Sequence, residues 1–97
     1  MPPYGRLAGI VISGTKESEV RALAQDLARR APRGPGIDTF GPAPAPLSLL
    51  RGRFRWRLLV KAGRDVNIQA ALRTWLAPVQ LKGSLRLQID VDPLSFL

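Results

Sequence analysis

The chain has 97 residues, 45% of them apolar and 23% charged, which suits one compact domain and is too short for a two-lobed enzyme. It contains no Cys and no His, so thiol nucleophiles, disulfides, zinc sites of the Cys/His type and triads with a His base are excluded. Fifteen basic residues against seven acidic ones give a net charge of +8, and twelve of the fifteen are Arg, whose planar fork of donors suits phosphate and base edges.

Met1, Pro2 and Pro3 form no basic n-region and no apolar h-region follows, so no export is expected. Residues 7–12 are the longest apolar run near the start, well under the roughly 18 needed to span a bilayer, and no membrane partner is expected. Residues 7–13 are rich in β-branched side chains and predict a buried strand, followed by Gly14 and Thr15. The period then changes. Val20, Leu23, Ala24, Leu27 and Ala28 fall on one face of a helix over 18–30, with Thr15 or Ser18 as its cap. Glu17 and Glu19 stand in its first turn and Arg29 and Arg30 in its last, each on the side the helix dipole favours.

Residues 32–46 hold five of the nine prolines and read as a rigid Pro/Gly-rich connector. Its GPAPAP stretch at 41–46 is an extended edge segment or an exposed loop, and a short strand is expected at 37–40 just before it. Residues 52–61 alternate: Phe54, Trp56, Leu58 and Val60 point one way, and Arg53, Arg55, Arg57 and Lys61 the other. Asp65 is the expected cap of a second helix with Ile68, Ala71, Leu72, Trp75 and Leu76 on one face, ended by Pro78. A last strand places Leu85, Leu87, Ile89 and Val91 opposite Arg86, Gln88, Asp90 and Asp92.

The order β-α-β-β-α-β predicts an α+β two-layer sandwich of ferredoxin-like or similar split β-α-β type, one domain over 1–97 with one sheet face open. Charge is concentrated on it. Residues 51–64 carry Arg51, Arg53, Arg55, Arg57, Lys61 and Arg64 with no acid. Same-face residues of a strand lie roughly 6.6 Å apart, the order of the phosphate spacing in DNA, so a comb of guanidiniums can neutralise several phosphates together. Arg86, Asp90 and Asp92 are candidate cross-strand partners of the comb, and two acids cannot balance it.

Trp56 and Trp75 follow the apolar periodicity of their elements and read as core rather than base-stacking residues. With no aromatic pair on the exposed strand positions, an RNA-recognition-motif type of sheet is not expected. Asp90 and Asp92 lack further ligands for a metal, and neither GxxxxGK[ST] nor GxGxxG occurs. A carboxylate-pair enzyme would have to run on the seven acids present, so a binding module without catalytic residues is the expected class.

PPYGRLA at 2–8, GPAPAP at 41–46, RGRFRWRLLVK at 51–61 and IDVDP at 89–93 together resemble the C-terminal domain of the primosomal protein N′ family, the bacterial replication-restart helicases. The likeness implies that the chain is a C-terminal piece of a longer cytoplasmic protein. ATP, magnesium and zinc would then be bound by the absent helicase lobes and Cys-rich insert, and by nothing here. It further implies a fold similar to ribosomal protein S ten and contact with forked or single-stranded DNA, through Arg51, Arg53, Arg55, Arg57, Lys61 and Arg86. The acidic tail of single-stranded-DNA-binding protein would meet the start of the second helix, at Arg64 and Gln69, and the helicase lobes of the same parent chain are further partners. DNA anchoring, protein interaction and a ribosome-like RNA-binding role stay open at this level.

Overall fold

The computed structural model describes residues 5–91. Strand β1 (Arg6–Gly14) leads through a tight turn into helix α1 (Glu17–Arg29). Strands β2 (Ile37–Leu50) and β3 (Arg53–Ala62) form a hairpin, and helix α2 (Ile68–Leu76) and strand β4 (Arg86–Val91) complete the order β-α-β-β-α-β. The four strands make one antiparallel sheet in the order β2-β3-β1-β4, the arrangement of two interlocked split β-α-β units. This is the two-layer α+β sandwich expected from the periodicities.

Strand register assigns each side chain to a face. Ile10 pairs with Leu58 and Ile89, Ala8 with Val60, and Ile12 with Trp56 and Leu87, all on the side the helices cover. Ala8, Ile10, Ile12, Leu58 and Val60 are buried there against Val20, Ala24 and Leu27 of α1 and Ile68, Leu72 and Trp75 of α2. The helices are also tied to each other. The Trp75 indole N–H donates to the Leu27 carbonyl at 3.0 Å, and an Arg30 guanidinium N–H donates back to the Trp75 carbonyl at 3.3 Å. Arg30 at 2.9 Å and Arg29 at 3.2 Å also pair with Asp26; the hydrogen bond from Arg30 is the largest of the effects that hold this carboxyl below its ordinary pKa.

Several expectations change in detail. Neither Thr15 nor Ser18 caps α1, whose N-cap is Lys16 without a side-chain bond. The Thr15 hydroxyl instead shares a 2.9 Å hydrogen bond with that of Ser84, which also accepts from the Thr15 N–H, tying the β1–α1 turn to the loop before β4. Asp65 does not cap α2; Asn67 does, its side-chain oxygen accepting from the Ala70 N–H at 3.0 Å. In both helices the observed cap lies one or two residues from a candidate, where local side-chain geometry decides among several polar residues. Ile89 lies on the helix side yet is 43% exposed, because β4 is an edge strand beyond the helix layer.

The proline-rich stretch lies within β2. This strand is an edge, paired with β3 alone, so Pro42, Pro44 and Pro46 need supply no ladder N–H on the outer side. Its register shifts between Phe40 and Ala43 and again between Pro44 and Leu49. Gly41 sits in the first shift with φ +101, and a Cβ there would come 2.9 Å from the Arg57 carbonyl oxygen. Gly41→Ala is therefore expected to cost about 1–3 kcal/mol, by strained backbone and by forcing β2 off β3. A thermal melt beside the wild type measures it, and an unchanged melting temperature would contradict it. At the hairpin tip Arg51 and Gly52 have φ 54 and φ 78, positive at both central positions of a two-residue turn, as the twist of paired strands favours.

Candidate nucleic-acid interface

The uncovered face of the sheet is built from the alternate positions of the same strands. Across β3, β1 and β4 its rows read Arg55–Ser13–Arg86, Arg57–Val11–Gln88 and Leu59–Gly9–Asp90, with Lys61 opposite Leu7 on one side and Asp38 on the other. Register thus brings Arg53, Arg55, Arg57, Lys61 and Arg86 onto one face, as expected from alternation. Arg51 stands exposed at the tip of the β2–β3 turn. The acids sharing this face among the described residues are Asp38 and Asp90, so the balance is strongly positive.

The basic side chains are not equivalent. Arg53 is half-buried and donates to the Ser13 hydroxyl at 3.2 Å and to the Ser84 carbonyl, so it fastens β3 to β1 and to the loop before β4. Arg55 donates to the Leu47 carbonyl of β2 at 3.3 Å with one nitrogen. The Lys61 ammonium lies 5.2 Å from the centre of the Phe40 ring, a cation–π distance. Arg57 and Arg86 are exposed and make no hydrogen bond or ion pair among the described residues. Asp90, a candidate cross-strand partner of the comb, forms no ion pair among those residues, because β1 lies between β4 and the Arg residues of β3. Asp92 lies outside the described residues.

Between these rows and β2 the open face sinks into a cleft of about 470 Å³. Gly9 and Val11 form part of its floor, Arg55, Arg57 and Phe40 stand on the β3 and β2 side, and Gln88 and Asp90 on the β4 side. Phe40 is 49% exposed. An aromatic ring on the open face is a feature that alternation in β3 and β4 alone does not reveal. Its signal was present in the alternation of Ile37 and Thr39 with Asp38 and Phe40, once the hairpin register is known. Gly9, interrupting an otherwise apolar strand, was a second hint, since a strand glycine leaves room above the sheet.

Residues 1–94 match the Primosomal protein N C-terminal domain family. The chain belongs to it. It is similar to the replication restart protein PriA of Rickettsia conorii, 35% identical over 96 residues that make up 99% of this chain and 15% of the relative. The PriA of Rickettsia felis gives the same figures, and that of Synechocystis sp. is 36% identical over 100 residues, 97% of this chain and 11% of the relative. The chain thus spans only 11–15% of the length of these curated relatives.

In this member of the Primosomal protein N C-terminal domain family, the residues expected to bind partners fall into two places. The basic comb lies on the open sheet face. Gln69 is exposed on α2, in the opposite layer, and Arg64 is exposed in the turn between β3 and α2, where its backbone packs so closely that a Cβ on Gly5 would meet it at 2.8 Å. The fold does not bring Gln69 to the comb. No helix among the described residues is long and apolar enough to cross a membrane.

Proposed function

We propose that this chain is an accessory DNA-binding domain of a cytoplasmic replication-restart helicase, holding forked or single-stranded DNA by its backbone without sequence preference. One observation carries the reading: among the described residues a single uncovered sheet face collects five basic side chains against two acids, and Arg57 and Arg86 are unpaired there. Arg51 extends the same charge to the hairpin tip. On this reading the domain performs no catalysis and needs no cofactor, and ATP, magnesium and zinc act in the remainder of a longer protein.

Fluorescence anisotropy with labelled forked, duplex and single-stranded DNA over a salt series tests it. About four neutralised phosphates give a log–log slope near −3 on a single strand and near −4 on a duplex. No binding to any of the three at low salt would overturn the proposal. The exposure of Gln69 and Arg64 away from the comb favours a second contact, with the acidic tail of single-stranded-DNA-binding protein and with the helicase lobes. Such a tail peptide would bind without displacing DNA in the same assay, and Gln69→Ala would weaken the peptide alone.

A further inference from the structure

We propose that the cleft on the open sheet face is a slot for one unpaired nucleobase, and that Asp90 makes it select unpaired over paired DNA. The inference rests on the DNA-binding reading above and adds to it a means of telling single strand from duplex.

The geometry comes from the register. Leu59 and Asp90 flank Gly9 on neighbouring strands, so the side chains of the outer two stand roughly 9–10 Å apart and β1 places none between them in that row. The gap opens into the 470 Å³ cleft, within the size range of small-ligand sites. Phe40, 49% exposed, stands at its rim with the Lys61 ammonium over one face of the ring, which leaves the other face to stack on a base; such stacking is tolerant of base identity because every base has a π-face. Arg55 and Arg57 line the same cleft and can meet the flanking phosphates.

Asp90 is the feature that backbone binding does not explain. A carboxylate on the edge strand of a basic face repels phosphate, and among the described residues Asp90 forms no ion pair. It accepts hydrogen bonds and, ionised, donates none. Each of the four DNA bases carries an N–H on its pairing edge: thymine at N3, cytosine at N4, adenine at N6, guanine at N1 and N2. The hydrogen that each of these groups directs along the pairing edge is free for Asp90 only when the base is unpaired; the second amino hydrogen of cytosine, adenine and guanine lies in a groove of the duplex. In a duplex the pairing-edge hydrogens are used, and Asp90 meets phosphate charge instead. Gln88, on the same wall, both donates and accepts, and so suits the remaining polar atoms of any base. The slot therefore reads the unpaired state and leaves sequence unread.

The experiment compares the 97-residue chain and its Asp90→Ala and Phe40→Ala variants, by anisotropy at fixed salt. The probes are a single-stranded 12-mer, an abasic 12-mer with the same phosphates, and a duplex. The bases are expected to contribute roughly tenfold to single-strand affinity. Phe40→Ala should bring the 12-mer to the level of the abasic strand. Asp90→Ala should weaken the 12-mer and strengthen the duplex, opposite signs that simple removal of a negative charge cannot give. Equal affinity for normal and abasic strands, with Asp90→Ala strengthening every probe, would overturn the slot while leaving backbone binding intact. Absence of binding to all probes would instead remove the DNA reading and the slot with it. Amide shifts at Gly9 and Gln88 caused by an acidic peptide and not by the 12-mer would assign the cleft to a protein partner and overturn the slot as well.

Discussion

The triple variant Arg55→Ala/Arg57→Ala/Arg86→Ala is expected to bind single-stranded DNA roughly a hundredfold more weakly than the wild type at about 0.1 M salt. Each phosphate contact on a single strand contributes about 0.7 to the log–log salt slope, so three lost contacts remove about two log units at that concentration and almost none near 1 M. The slope itself should flatten by about 2. The three residues are chosen because Arg57 and Arg86 are exposed without protein partners among the described residues and Arg55 spends only one nitrogen on the Leu47 carbonyl. Their removal should leave the melting temperature nearly unchanged, as surface substitutions away from packed features usually do. Arg53→Ala should behave in the opposite way. Its bonds to Ser13 and Ser84 hold the sheet to the loop before β4, so its loss should lower the melting temperature more than the affinity. A salt titration beside a thermal melt separates the two kinds of residue. Undiminished affinity in the folded triple variant would refute the comb as the DNA contact.

Trp75→Ala should be the most damaging single substitution to the fold. Trp75 is 5% exposed at the centre of the helix layer, and truncating a buried Trp costs about 3–5 kcal/mol through lost transfer energy and the cavity left behind. The Leu27 carbonyl would also lose the indole donor that reaches it at 3.0 Å. A domain of this size has a total stability of about 5–15 kcal/mol, and each kcal/mol moves the melting temperature by about 4–8 °C, so a drop of roughly 15 °C or more is expected. Trp75→Phe keeps most of the ring volume and removes the donor, and should cost about 1–3 kcal/mol. Calorimetry on the two variants measures the pair. A Trp75→Ala melt within a few degrees of wild type would contradict the packing argument.

The two tryptophans also illustrate how much of the molecule could be read in one dimension. Both follow apolar periodicity, and both lie on the helix side of the sheet: Trp75 in the core, Trp56 partly buried beside it. Periodicity sufficed because a side chain's face is set by 3.6 residues per turn in a helix and two per repeat in a strand, whatever the rest of the chain does. The same reasoning put Arg53, Arg55 and Arg57 together. It could not reveal that Arg53 is engaged with Ser13 and Ser84, since those partners lie 40 and 31 residues away in the chain. The helix caps were misassigned for a related reason. Thr15 has the right chemistry for a cap, but a hydroxyl from a residue 69 positions on competes for it.

The sequence by itself determined the order of elements, the faces of β3 and the helices, the concentration of positive charge and the family to which the chain belongs. Each follows from local spacing or from composition, which survive without any knowledge of contacts. Only the tertiary structure decided the cleft. Gly9, Phe40, Gln88 and Asp90 come from three strands, and nothing in their own segments marks them as neighbours. They meet because antiparallel register sets Gly9 between Leu59 and Asp90 and lays β2 along β3. Register is a property of pairs of strands, fixed by burying one face of the whole sheet at once, and so it is written in no single stretch of the chain.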